Sequence, residues 1–432
     1  MFAKVLRWTA WLGLIYAAVG GQAYAAQPPA VSVGVFDTGV SAAAPLTGDA
    51  VAKKAGWTLL PEDQPRHTFK GDAVLANDRL TVVLRRRSPG AEVYANGAGG
   101  PVLRAVLTPV TDSAPAGIAS VTIVENGPGA VALDAGFRAP AGPDAIVRFE
   151  LQPGRMFVRT EARRGVQRLR LEAPCRFAVL PDFFADDIAI DATELPADRA
   201  ELPSENFLLH MGGHGEAIVL AVWSQREQEV QVLMAGRGKS RVIQASEIPY
   251  GTKGTVDVAV LEGPGVWHSH DVKRADADQV IPLGWKAPFP AQWRMDWRQD
   301  DGLTDSWEML VQKPDGNYTK LDWFGQSDTY GTPDWMKPDR LRWTTVLGAF
   351  KYPCWIDKEG QGFIQPLKRP GRFQGPAIVY PINRVTATPL TSSTFVDVMR
   401  ATTRWRGASG SPPPSCRSAA TRTSWWASAA WQ

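Results

Sequence analysis

The sequence predicts an all-β chain, mostly antiparallel, built as a large β-sandwich or super-sandwich with a Trp-rich, loop-rich C-terminal part and little helix. Three observations lead there. Strand-length runs rich in β-branched residues recur along the first 260 residues. Turn residues punctuate them at short intervals, as in Asn126-Gly-Pro-Gly129, Gln152-Pro-Gly154 and Gly263-Pro-Gly265. No ten- to fifteen-residue stretch of helical periodicity separates the runs, so the βαβ units of a doubly wound fold are not available.

The runs are Leu80–Arg85, Ala119–Val124, Ala145–Leu151, Met156–Thr160, Ala217–Trp223, Val230–Met234 and Thr255–Leu261. In Gln167-Arg-Leu-Arg-Leu-Glu172, Leu169 and Leu171 fall on one side and the charged residues on the other. That alternation describes an antiparallel sheet with one wet face. Residues 26–264 are therefore expected to form the sandwich, and residues 265–400 a Trp- and Asp-rich region of strands and loops. Residues 267–355 hold nine of the seventeen Trp. Ser393 to Thr402 reads as a short helix capped by Ser393 or Thr394.

The two ends differ from the body. Lys4 and Arg7 precede an apolar stretch from Trp8 to about Gly21, followed by Ala23-Tyr-Ala25. This is the order of a signal peptide, residues 1–25, with a secreted or periplasmic destination. The apolar stretch is short of the roughly twenty residues that span a bilayer, so no stable membrane span is expected after cleavage. Residues 401–432 contain no Leu, Ile, Val, Phe or Tyr and cannot supply a core face. They read as a non-globular tail, and the abrupt change near Arg400 suggests a reading-frame slip in GC-rich DNA, which leaves the C-terminus truncated.

The whole chain carries a formal charge of +3. Removing the two positive charges of the leader and the five Arg from residue 400 onward (400, 404, 406, 417, 422) leaves a body of −4. Such a body lacks the basic footprint of phosphate-backbone binding, and nucleic acid is excluded as a partner. The three Cys (175, 354, 416) form no metal pattern, and a Cys175–Cys354 pair is open on sequence alone.

The densest chemistry lies in Gln292–Glu308. On an extended backbone Arg294, Asp296 and Arg298 share one face, and Trp293, Met295 and Trp297 the other. Arg offers a planar fork to a carboxylate, and a flat aromatic ring suits an apolar sugar face. Asp300, Asp301, Asp305 and Glu308 can supply paired carboxylates for glycoside hydrolysis, or oxygen ligands for calcium, although the DxDxDG loop is missing. Asp182, Asp186, Asp187 and Asp191 allow calcium or plain turn chemistry. His268 and His270 share one side of a strand, which suits acid–base work or a metal. Tyr352-Pro and Tyr380-Pro look like site walls. HExxH, GxSxG and P-loop motifs are absent, so zincin, α/β-hydrolase and NTPase chemistry are excluded.

The residue types therefore suggest an exported carbohydrate-active protein whose partner is a polysaccharide or cell-envelope glycan. As a polysaccharide lyase or hydrolase acting on acidic glycans, it would use His268, His270, Arg294, Tyr352 and Arg384 for catalysis. Trp267, Trp293, Trp297, Asp296, Asp300, Asp301, Asp305, Trp307, Trp355 and Tyr380 would contact substrate. The alternatives are a non-catalytic carbohydrate-binding or envelope β protein, and a structural protein whose Trp are all core.

Overall fold

The computed structural model describes residues 33–384 except 63–65, 112–116, 139–142, 182–186, 205–206, 224–227, 252–253, 278, 290, 299–303, 313, 315, 317, 320–341, 346–347 and 367–374. The chain divides into two units, Met1–Val31 and Ser32–Gln432, and everything described below lies in the second. The leader, the tail, Cys416 and the helix expected at Ser393–Thr402 fall outside the described residues.

Nineteen strands between Val33 and Glu262 pair into one continuous antiparallel assembly that folds over itself as two layers. The first layer runs, in spatial order, Ile118–Asn126, Val131–Phe137, Ala145–Leu151, Phe157–Arg164, Thr255–Glu262, Ala217–Trp223, Phe207–Gly212, Cys175–Pro181 and Asp187–Asp191. The second runs Thr58–Leu59, Val33–Asp37, Ala73–Asn77, Leu80–Leu84, Ala91–Gly97, Gly100–Val110, Arg168–Glu172, Val242–Pro249, Gln228–Ala235 and Arg199–Ser204. The layers meet where Cys175 pairs with Ile243.

Alternation decides which side chains fill the space between the layers. In Ala145–Leu151 every second residue is buried, and Val147, Phe149 and Leu151 join the shared core. Arg168–Glu172 buries Leu169 and Leu171 and leaves its charged residues half-buried on the other face, the pattern its sequence predicts. Polar groups bridge the layers inside this core, among them the Tyr250 hydroxyl, which donates to Thr160 Oγ1 (3.1 Å), and His210. His210 points inward from the first layer, and a carbonyl can only accept, so its Nδ1–H donates to Ala173 O (2.8 Å). Nε2 then accepts the Ser246 hydroxyl of the second layer (2.8 Å).

Residues 268–384 add shorter strands. A four-stranded sheet has the order His268–Val272, Gly375–Arg384, Ala291–Arg298, Thr304–Glu308. A five-stranded sheet has the order Ile281–Lys286, Gln361–Ile364, Cys354–Ile356, Leu310–Gln312, Tyr318–Thr319, with one parallel pair. Arg342–Thr345 and Gly348–Lys351 form a hairpin. The four-stranded sheet is covered on both faces. Ile378 and Tyr380 pack on Phe177, Ile218, Leu220 and Leu261 of the sandwich. Ala377 and Val379 pack with the Trp-rich cluster toward the five-stranded sheet.

One expectation needs correction, and two features that the sequence left open are resolved. Tyr380-Pro381 is not a site wall but lies inside the central strand Gly375–Arg384. A register shift between Gln292 and Trp293, opposite Pro381, accommodates the N–H that proline lacks. Cys175 and Cys354, whose pairing the sequence left open, are both buried, in different apolar clusters, and form no disulfide with each other. A short helix, Gly48–Lys53, is present where no periodicity predicts one, because Thr47 Oγ1 accepts from Ala50 N–H (3.3 Å) and closes its first turn.

Candidate functional site

The strand Ala291–Arg298 alternates as its sequence demands, with Trp293, Met295 and Trp297 on the face toward the five-stranded sheet. All three are buried, and the Trp293 ring meets Trp285 edge-on at 4.9 Å and Phe289 at 5.3 Å. Trp355 is buried and stacks on Phe363 (5.7 Å), while Trp307 packs edge-on against Tyr352 (5.4 Å). Trp267 is buried against Phe177 and donates its Nε1–H to Gly212 O (2.9 Å). The expectation that Trp267, Trp293, Trp297 and Trp355 stack on sugar is thereby corrected. Their rings fill the space between layers, where burial of a large aromatic surface contributes more than exposure can.

The charged face of the same strand is not wet. Asp296 is 1 % exposed and Tyr380 fully buried. The Tyr380 hydroxyl donates to Asp296 Oδ2 (2.5 Å), and the Ser306 hydroxyl donates to Asp296 Oδ1. Arg294 Nε lies 3.7 Å from that oxygen. Register puts Arg294 between Tyr380 and Glu308, and Asp296 between Ile378 and Ser306. A carboxylate can be buried when charge and hydroxyl donors surround it, and these groups form a polar seam under the sandwich.

His268 and His270 project from the edge strand of the same sheet, opposite Val379 and Ala377. Directly opposed residues share a face, so both imidazoles lie on the Trp-rich side, away from Arg294, Asp296 and Tyr380. The His268 ring stacks near Trp285 (6.3 Å, 18°). Burial holds its pKa below the ordinary value, a bond to the Leu283 backbone opposes that, and His270 adds to it. Its Nε2 is buried without a partner among the described residues. Tyr352 also faces the Trp-rich cluster, and its hydroxyl donates to the Glu308 carbonyl (2.6 Å). Burial, first of all, pushes that phenol well above its ordinary range.

The proposed catalytic set is thus divided. His268 and His270 lie on one side of the sheet and Arg294 on the other. Tyr352 packs on the histidine side with its hydroxyl at the Glu308 carbonyl, where the Arg294 charge still acts on it. Arg384 falls opposite Ala291 by register, and Asp305 opposite Trp297, with neither side chain described. Asp300, Asp301, Asp182 and Asp186 lie outside the described residues, and the Asp187 side chain is not described. Asp191 is held by Arg176 (2.7 Å) and by Thr193, an internal partnership. Among the described residues no group of three or more His, Cys, Asp or Glu is placed to hold a metal ion. No helix among them is long and apolar enough to cross a membrane.

Sequence reasoning missed a second buried carboxylate centre, at one end of the sandwich. Burial alone would raise the Asp37 carboxyl, but the His67 ring (2.8 Å) and the N–H groups of Lys70, Gly39 and Gly71 outweigh it and bring it down to about 2. Asp72, beside it, accepts from Ala42 and Arg86 N–H. The available signal was Thr-Gly after Asp37 and Lys-Gly before Asp72, since a Cβ on Gly71 would meet Thr38 Oγ1 at 2.4 Å.

No family model and no curated protein matches the chain. Among solved structures, a mutant of a glycoside hydrolase family 81 protein from Clostridium thermocellum is 12% identical, with a TM-score of 0.27 over 82% of this chain and 40% of that one. An active YidC insertase with its first transmembrane domain resolved is 11% identical, with a TM-score of 0.26 over 48% of this chain and 41% of that one. This chain spans about two fifths of the length of each. TM-scores this low carry nothing about chemistry.

Proposed function

We propose that this chain is an exported β protein that binds polysaccharide without cleaving it. The observation that carries the reading is the division of the acid–base candidates between the two faces of one sheet, with the Tyr352 and Tyr380 hydroxyls already donating to Glu308 O and Asp296. A base and the group that neutralises a substrate carboxylate must both reach the same sugar. His268 and Arg294 are separated by the sheet itself. The signal-like leader and the exposed polar sheet faces support binding outside the cell. The test is incubation of the full chain with acidic and neutral polysaccharides, followed by gel retardation and product analysis. Retardation without new reducing ends or unsaturated uronate is expected. Product formation overturns the reading, and neither retardation nor product leaves a purely structural protein.

A lyase or hydrolase is the second reading, favoured by the unpartnered Nε2 of His268. It requires that His268→Gln abolish product formation while the melting temperature is kept.

A further inference from the structure

We infer that the glycan surface is the uncovered half of the first layer's outer face, and that it selects a neutral, hydroxyl-rich polysaccharide over a uronate polymer. This inference rests on the glycan-binding reading above and adds to it a place and a ligand class.

The outer face of the first layer is divided in two. Ile218, Leu220, Val222, Ala259 and Leu261 are buried in the cluster that holds Ile378, Tyr380 and Trp267. The neighbouring strands carry two rows of charged side chains on the same face. Asp134, Arg148 and Glu161 stand directly opposite one another on three consecutive strands. Glu150, Arg159 and Asp257 form the second row, again on three strands. The two rows are two residues apart and offset by one strand, so the patch extends about 7 Å along the strands and about 14 Å across its four strands.

The polar groups are fixed before any ligand arrives. Arg148 grips Asp134 with Nε (2.8 Å) and Nη2 (3.1 Å). Arg159 grips Asp257 with Nε (2.9 Å) and Nη2 (3.2 Å). Gln152 donates to Glu150 and Arg163 to Glu161. Planar groups already held in place lose little freedom when they bind a ligand. They are still reachable, since the side chains of Arg159, Arg148, Asp134 and Glu161 keep 20, 23, 25 and 32 % of their exposure. Phe157 lies on the same face, two residues from Arg159, and is only partly buried. It sets an aromatic edge beside the polar rows, with the Arg155 guanidinium over its ring (6.0 Å).

Charge sets the ligand class. Four carboxylates stand against the guanidinium groups of Arg148, Arg159 and Arg163, and each guanidinium is engaged by a carboxylate of the protein. Within the two rows a uronate meets no uncommitted cation and is repelled by the carboxylates, while the Arg155 guanidinium stands at the margin, over the Phe157 ring. Sugar hydroxyls can donate to the free lone pairs of these carboxylates and accept from the remaining guanidinium N–H groups.

The test is affinity electrophoresis of the full chain through gels containing hydroxyethyl cellulose, a galactomannan or polygalacturonate. A neutral polymer is expected to retard the protein, and polygalacturonate is not. Replacing the pair together (Arg159→Leu with Asp257→Leu) should weaken retardation about tenfold or more. The matched pair on the second layer (Arg170→Leu with Glu247→Leu) should leave it unchanged. Melting curves identify any variant that fails to fold, and Glu161→Ala, at a more exposed position, then serves in its place with a smaller loss. Unchanged retardation in the folded first-layer variants overturns the surface. Retardation by polygalacturonate alone overturns the ligand class. If no polymer retards the wild-type chain, it is the glycan-binding reading that falls.

Discussion

The sandwich and the layered module behind it fill their interiors with different side chains. Between Val33 and Glu262 the core is mainly Val, Leu, Ile and Ala on long strands. Some, such as Ala145–Leu151, alternate buried and half-buried residues, while others, such as Ala217–Trp223, are buried on both faces. Between His268 and Arg384 the strands are shorter, and Trp285, Trp293, Trp297 and Trp355 supply much of the buried volume. The four-stranded sheet has no wet face in its central strand, so its polar residues had to be satisfied internally. The Arg294–Asp296–Ser306–Tyr380 seam is the result. A dense cluster of Trp, Arg and Asp can thus arise from joining one sheet to another.

The largest expected effect tests that difference in core composition. Trp293→Ala should cost about 3–5 kcal/mol, seen in chemical denaturation as early loss of near-UV dichroism from the module. The far-UV β signal of the sandwich should persist to higher denaturant. One unchanged transition would mean that the two regions do not differ in this way.

Acid separates two buried titrating groups, both in the sandwich. Burial lowers the His210 imidazole to about 4, against the bond from its ring to Ala173. Above its ordinary value of 6.5, folded and unfolded chains are both neutral there, and the full stability is present. Below 6.5 only the unfolded chain takes the proton, and stability falls as pH drops through 4. The loss is on the order of 3 kcal/mol. Asp37 acts later, because its lowered carboxyl contributes stability that is present above 3.8 and lost as pH falls toward 2. Melting temperatures from pH 7 to 3 should decline from about pH 6.5 in the wild type and flatten over that range in His210→Gln.

Tyr380→Phe removes one donor from a buried carboxylate and should cost about 1.5–3 kcal/mol, measured by denaturant midpoint. A neutral result would mean that the Tyr380–Asp296 bond contributes nothing to the seam. Thr47→Ala, which removes the cap of the short helix, should cost only about 1 kcal/mol.

The sandwich was legible because its signal is local. Leu169 and Leu171 announce their side of the strand within five residues. The face pattern of Trp293, Met295 and Trp297 was equally legible. What could not be read was whether the opposite face met water, since Arg294 and Asp296 look the same in a wet ladder and in a buried seam. The deciding partner, Tyr380, lies 84 residues away in sequence. His210 was hidden for the same reason. Its Ser246 partner is on the other layer, and nothing beside it in Phe207–Gly212 marks it as more than a strand residue.

The most direct test of the central claim, that the Arg–Asp–Tyr cluster joins layers and performs no catalysis, pairs stability with glycan assays in Asp296→Asn. The account predicts a lowered melting temperature, glycan retardation equal to wild type in the folded range, and no product from either protein. An unchanged melting temperature, with wild-type product formation that the variant loses, would contradict it.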